Sequence, residues 1–283
     1  MFRSILLAFF SSLIGLTAYA GDHVSQLEKV LAAQPDEVQA RFPARHARET
    51  IEFFGLQPGM TVMEALPGGG WYSKILIPFL GNEGSLIGAD YAEDMYPRFG
   101  FFAQDVLDSK KTWVTDWTAE ASAWVAEGGA SISAFQMGSM PDDMTGTADA
   151  VFFVRALHNL ARFEADGAYL TKAVADAFNI LKPGGVMGVV QHQARDEMPD
   201  DWANGSHGYL KQSFVIETME NAGFVLEASS DFNNNPADQP TTDDIVWRLP
   251  PTLATSGDNE ELKAAMLAIG ESNRMTLRFR KPE

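Results

Sequence analysis

The sequence predicts an α/β chain with an open, doubly wound sheet and a late antiparallel strand. Three observations carry that prediction. Apolar runs of five or six residues recur along the chain, helix-like stretches separate them, and Val151–Val154 (VFFV) is apolar throughout. Strands that alternate with helices of ten or more residues call for crossovers and parallel pairing. A parallel strand is covered on both faces, so it loses the apolar–polar alternation of a half-exposed one.

The elements follow in order. Residues 1–20, MFRSILLAFFSSLIGLTAYA, carry one charge at Arg3, an apolar run from Ile5 to Leu16, and Ala18-Tyr19-Ala20 before Gly21. That is the layout of a secretory signal peptide cut after Ala20, which makes the mature chain periplasmic or secreted. The run of about 12 residues falls short of the roughly 18–20 that span a bilayer, so no integral membrane segment is expected after cleavage. An uncleaved anchor is the other reading. Residues 21–55 read as a helical segment, with the pattern over Asp22–Phe54, a cap at Asp36, and Gly55 and Pro58 as its stop. The α/β domain occupies residues 56–283. Its strands are predicted at Thr61–Leu66, Ser85–Ala89, Ser131–Gln136, Ala150–Val154 and Val186–Gln191. Helices are predicted at Trp71–Leu80, Ala92–Asp108, Asp116–Glu127 and Phe163–Leu181. A helix at Lys211–Ala222, a strand at Phe224–Ser230 and a long polar loop then lead to Met275–Arg280, whose alternation suits an edge strand. The loop DFNNNPADQPTTDD reads as too polar to be buried, a lid, a partner surface or a tolerated insertion, and RFPARHARE, with Arg41, Arg45 and Arg48, as the solvated face of a helix, the alternative being a cluster that draws an anionic substrate.

Composition narrows the function. The chain carries a formal charge of −17, and loss of Arg3 with the signal leaves −18. Such a surface repels phosphate backbones and anionic lipid heads, so no nucleic acid partner is expected. With no cysteine, the chain has neither disulfides nor thiolate metal sites, and its 283 residues suffice for a full core without them.

The stretch MEALPGGGWYS (Met63–Ser73) sets Pro67 and three glycines directly after the first strand. Ligands of open α/β sheets bind beyond the carboxyl ends of the strands, at such a turn. Gly68, Gly69 and Gly70 can take positive φ and let a ligand approach the backbone. The helix starting near Trp71 points free N–H groups at the same place. Asp90 closes the second strand 22 residues after Gly68, close to the ~20-residue spacing of a ribose-binding acid. Turn and acid together point to a nucleoside-bearing ligand; the alternative is a tight turn and an acid that caps a helix. A nicotinamide fingerprint is disfavoured, because the third glycine of G-x-G-x-x-G is missing.

With VMEALPGGG at the first strand, TADAVFFVRALHNL (Thr147–Leu160) at the fourth and LKPGG (Leu181–Gly185) before the fifth, the sequence resembles the class I S-adenosylmethionine-dependent methyltransferases. More narrowly, EALPGGGWYS, SSDFNNNPAD and LRFRKP are similar to a bacterial group of predicted methyltransferases that share an ELxPGGGxY signature. The likeness runs from about Ala44 onward. It implies a Rossmann-like sheet of about seven strands, the last antiparallel, and S-adenosylmethionine as cofactor. It further implies that Glu64 orients the loop and receives the ligand's ammonium, directly or through water. Asp90 would accept the ribose hydroxyls, and Pro67 with Gly68–Gly70 would line the methionyl and ribose portion. Tyr72 would close over the ligand or pack under the loop, and Tyr91 would stack beside the adenine or pack in the core. There are two departures. Leu66 stands at the first glycine of the family loop, and QMGSMPDD has no aligned acid, only Met137 or Met140 to cover the ring.

Three histidines fall at the ligand edge of the sheet: His158 after the fourth strand, His192 after the fifth, and His207 in the loop beyond. His192 and His158 are the candidates to deprotonate an acceptor hydroxyl or amine. The set His192, His207 and Asp196 matches no metal-ligand spacing, so no metal is expected. The resulting expectation is an exported methyltransferase acting on a small-molecule acceptor. The alternative is a non-catalytic, methyltransferase-like binding protein for a nucleoside-type ligand, since S-adenosylmethionine is made in the cytoplasm. A hydrolase is disfavoured by the lack of a G-x-S-x-G elbow.

Overall fold

The computed structural model describes residues 26–127 and 129–283, so the signal segment expected at residues 1–20 lies outside them. Residues 26–32 are helical, and short helices at Asp36–Gln39 and Phe42–Arg45 lead into α1 (Ala47–Phe53). The helical pattern expected over Asp22–Phe54 is thus divided. Pro35, not Asp36, occupies the cap, and His46 breaks the chain again with a left-handed φ of 46°.

The first half of the sheet follows the sequence closely. β1 (Thr61–Ala65) leads to α2 (Ser73–Leu80), β2 (Ser85–Asp90), α3 (Trp113–Ala123), β3 (Ser131–Gln136) and β4 (Ala148–Val154). Pro78 lies inside α2 and cannot donate to Lys74. The Gln34 side-chain amide takes that place, donating to the Lys74 carbonyl at 3.4 Å. The helix expected over Ala92–Asp108 is instead a 3₁₀ helix, Glu93–Phe99, and a short α-helix, Gln104–Ser109, because Pro97 and Gly100 (φ 76°) interrupt it. After β4 come α4 (Leu157–Arg162), a turn of helix at Glu164–Gly167, and α5 (Tyr169–Ile180). Ala168, at φ 54°, splits the single helix expected there. β5 (Leu181–His192), α6 (Gln212–Asn221), β6 (Val225–Ser230), α7 (Glu260–Ile269) and β7 (Arg274–Arg280) complete the chain.

The seven strands form one sheet in the order β3-β2-β1-β4-β5-β7-β6. Strands β1 to β5 are parallel, and β7 runs antiparallel to both β5 and β6. The period of two along each strand feeds two cores. Met63, Val151 and Phe153 pack with α5 and α6, whereas Val62, Ala150 and Phe152 pack with α1, α2 and α3. Among the described residues, no helix is long and apolar enough to cross a membrane.

β7 is not the edge strand its alternation suggested; β6 is. The polar members of β7 find partners on the layer above. Thr276 accepts from the Asn233 amide at 2.9 Å, and Arg278 donates to the Phe53 carbonyl at 2.7 Å. The polar loop after β6 is likewise anchored rather than solvated throughout. Asp238 is buried and accepts hydrogen bonds from Tyr209 (3.0 Å), Arg248 (2.8 Å) and the backbone N–H of Asn273 (2.9 Å). Buried polar groups are tolerated when fully paired, which sequence polarity alone does not reveal.

Close packing fixes α1 against the sheet at Gly188, where a Cβ would stand 2.5 Å from the Phe54 ring. Gly188→Ala is expected to destabilise the fold by about 1–3 kcal/mol through overpacking, read as a lower urea midpoint with an unchanged m value.

Candidate active site

The carboxyl ends of the central strands open into a cavity of about 480 Å³. Its first wall is the turn after β1 and the end of β2, where Leu66, Gly68, Asp90 and Tyr91 line it. Leu66 and Gly68 both hold φ at 54°, a left-handed backbone that favours glycine. The Leu66 N–H is fixed by the Ala89 carbonyl at 2.7 Å. A Cβ built on Gly68 meets nothing nearer than the Leu66 carbonyl oxygen at 3.9 Å, so the backbone there is bare toward the cavity. The other glycines do different things. Gly69 is exposed, and a Cβ on Gly70 would stand 2.5 Å from the Trp124 ring, making it a packing contact.

Asp90 is held in place by its neighbours. Its Oδ1 accepts the Tyr91 N–H at 2.9 Å, and its Oδ2 accepts the Tyr96 hydroxyl at 2.5 Å with Lys110 Nζ 3.4 Å away. Burial and the adjacent carboxylate push the Tyr96 phenol far up, so it stays a donor. Tyr91 packs edge-on against Tyr96, and its hydroxyl accepts from the Asn159 amide at 2.9 Å.

The second wall comes from β4 and β5. His158 and His192 are buried, their rings 5.3 Å apart. His192 Nδ1 lies 2.5 Å from the Ser272 hydroxyl, and His158 Nδ1 lies 3.4 Å from the Gln191 side-chain oxygen. Burial pushes His158 down to about 4 and His192 well below its ordinary value, with Arg155 adding to both. Both imidazoles are therefore neutral at pH 7. Among the described residues neither Nε2 has a hydrogen-bond partner. Trp247 also lines the cavity, its ring 5.7 Å from that of His158.

Of the predicted site residues, Gly68, Asp90, Tyr91, His158 and His192 meet in this cavity; Glu64, Pro67, Gly69, Gly70 and Tyr72 do not line it. Glu64 sits behind the turn, accepting the Ser73 hydroxyl at 2.6 Å and so tying the start of α2 to β1. Burial raises it to about 7, against the opposing effect of that hydrogen bond. Tyr72 packs under the turn, edge-on to Phe152. Met137 is in the core and Met140 packs against it. His207 stacks on Trp202, away from the cavity. No group of three His, Cys, Asp or Glu among the described residues could hold a metal ion.

Tyr96, Lys110, Arg155, Trp247, Glu271 and Ser272 also line the cavity and are not evident from sequence. Arg155 alone left a legible trace, as a charge directly after the apolar run of β4. The cluster read as a solvated helix face is only partly so: Arg45 is buried and Arg41 half-buried. Arg41 and Arg45 both pair with Glu271, and only Arg48, with Glu28, lies on an exposed face. Burial, with Arg155 and Arg41 nearby, lowers Arg45 to about 10, so it remains charged.

No family model matches the chain, and no curated protein matches it. Solved structures do. The chain is similar to the cyclase SpnF at 17% identity over 84% of this chain and 80% of that one, with a TM-score of 0.50. A SAM-dependent methyltransferase from Aquifex aeolicus matches at 13% identity over 91% and 98%, with a TM-score of 0.48. The 1,6-didemethyltoxoflavin-N1-methyltransferase of Burkholderia thailandensis, with its substrate and S-adenosylhomocysteine bound, matches at 13% identity over 98% and 94%, with a TM-score of 0.46. At these identities the likeness is one of fold, the Rossmann-like α/β sheet.

The histidine environment predicts a pH response. Below pH 6.5 the unfolded chain binds a proton that folded His158 refuses until about pH 4, so stability falls as pH drops through that window. Glu64 acts oppositely, costing stability as pH rises from 4.5 to about 7. His158→Gln is expected to lose about 2 kcal/mol less than the wild type between pH 7.5 and pH 5, measured by urea unfolding at both values.

Proposed function

We propose that the chain is an S-adenosylmethionine-dependent methyltransferase acting on a small-molecule acceptor and exported by residues 1–20. One observation carries the reading: a single cavity joins bare backbone and a carboxylate at one end to two neutral, buried histidines at the other.

The residues fit such a cofactor. Gly68 offers open backbone, and Asp90 Oδ1 accepts one hydrogen bond within the protein, leaving capacity for a ribose hydroxyl. A charged acceptor makes each such bond worth roughly 1.5–3 kcal/mol. S-adenosylmethionine, when bound, supplies a methyl group already activated on a sulfonium. The protein's part is alignment and exclusion of water. Trp247 and the residues after it cover the cavity, and the Tyr96 hydroxyl and Lys110 keep Asp90 facing it. The Nε2 of His158 or His192 takes up the proton an acceptor hydroxyl or amine loses, with Nδ1 of His192 steadied by Ser272.

Calorimetry on the purified protein tests the reading. S-adenosylmethionine and S-adenosylhomocysteine are expected to bind more tightly than adenosine or NAD, and Asp90→Ala to weaken both by tenfold or more. A wild type with no affinity for any of these nucleosides overturns the proposal, and binding without turnover on any acceptor mixture reassigns the chain to a binding protein. Export is checked separately. Residues 1–20 fused to a reporter active only outside the cytoplasm are expected to give signal, and a silent fusion removes that part.

A further inference from the structure

The guanidinium of Arg155 has no role in the reading above. It follows β4 directly, at a left-handed φ of 55°, and its N–H is fixed by the Val190 carbonyl of β5 at 2.6 Å. The residue lines the cavity. Among the described residues, its side chain makes no hydrogen bond and no ion pair with the protein. A half-buried arginine ordinarily finds a carboxylate.

The carboxylate that acts on it electrostatically is already shared. Glu271 lines the same cavity, yet Arg41, Arg45 (3.3 Å) and Arg274 (3.2 Å) all pair with it. Three guanidiniums therefore pair with one carboxylate and Arg155 adds a fourth positive charge near it, in a chain whose formal charge is −17. The other polar groups on this wall, His158, His192 and the Ser272 hydroxyl, carry no negative charge. The excess positive charge is local, and Arg155 is the member of the group that lines the cavity without a protein partner among the described residues.

Its place in the sheet says which ligand it serves. Gly68 and Asp90 stand over β1 and β2, where a nucleoside would sit. Arg155 follows β4 and is tied to β5, and the polar residues on its side of the cavity come from α4 (His158), the end of β5 (His192) and the segment entering β7 (Glu271, Ser272). Arg155 therefore stands two strands from Asp90, on the β5 side of the cavity. A volume of about 480 Å³ limits what fits there to small molecules, and the acidic surface turns away polyanions.

We infer that Arg155, flanked by Ser272 and the two histidines, seats an oxyanion of the acceptor, which is therefore a small molecule bearing a carboxylate or a phosphate. A guanidinium engages either group through paired N–H donors. The word acceptor rests on the methyl-transfer reading; the anion seat does not.

The competing source of an oxyanion is the carboxylate of the cofactor's own methionyl group, and the test separates the two. Inorganic phosphate and acetate are titrated against wild type, Arg155→Gln and Arg155→Lys, following the melting temperature at fixed ionic strength with chloride as control. Calorimetry on the same proteins uses S-adenosylhomocysteine and 5′-methylthioadenosine, which lacks the carboxylate. At least one anion is expected to raise the wild-type melting temperature saturably. Its apparent affinity should fall tenfold or more in Arg155→Gln and less in Arg155→Lys, while S-adenosylhomocysteine binding stays within twofold. Arg155→Lys keeps the charge and covers the case in which the glutamine variant does not fold. Equal responses of all three proteins to both anions overturn the inference. So does a tenfold loss of S-adenosylhomocysteine affinity in Arg155→Gln with 5′-methylthioadenosine unaffected, which assigns the guanidinium to the cofactor. Anion binding through Arg155 in a wild type that ignores S-adenosylhomocysteine supports the seat and rejects only methyl transfer.

Discussion

Glu271 is the point at which two distant parts of the chain are held together. Its carboxylate takes Arg41 and Arg45 from the N-terminal helical segment and Arg274 from the start of β7, and it forms part of the cavity wall. Burial alone would push this carboxyl up, but Arg274, Arg45 and Arg41 outweigh that and hold it below the usual range. Removing one member of such a buried cluster strands the others without compensation, a cost of about 3–5 kcal/mol. The N-terminal segment is therefore not an appendage. Arg274 also donates to the Ala44 carbonyl, so the helical segment and the reversed strand fix each other, and with them the far wall of the site.

Around that wall, burial decides charge. It leaves His158 and His192 neutral in the range where free histidine titrates, and raises Glu64 to about 7. The arginines, by contrast, stay ionised even when lowered. The result is a cavity whose fixed charges are the Arg155 guanidinium, the Lys110 ammonium and two paired carboxylates, while its proton-exchanging groups are neutral imidazoles. Such a division suits a site that must hold an anion at one place and remove a proton at another.

Much of the architecture could be read from the chain. The apolar runs at Val62–Ala65, Leu86–Ala89 and Val151–Val154 lie within β1, β2 and β4, because strands covered on both faces leave no other pattern. The glycine turn and Asp90 were legible for a similar reason, since both belong to one strand–turn–helix unit and its neighbour. What escaped depends on contacts across long separations. Arg45 looked solvated because its partner Glu271 lies 226 residues away. β7 looked like an edge because alternation is the same whether its polar side faces water or Asn233 and Phe53. Trp247 and Ser272 carry no local mark at all, and only the path of the chain after β6 brings them over the cavity.

The turn after β1 has one further implication. Leu66 holds a backbone conformation that costs a side-chain-bearing residue roughly 1 kcal/mol or more, and its isobutyl group stands at the cavity wall where glycine would leave a gap. Gly70 is filled by Trp124 and Gly69 looks outward. Of the three consecutive glycines, a single residue, Gly68, is left as the doorway. A molecule docking here meets a narrow slot with a greasy jamb, and its fit is governed by shape at that slot more than by the flexibility three glycines suggest.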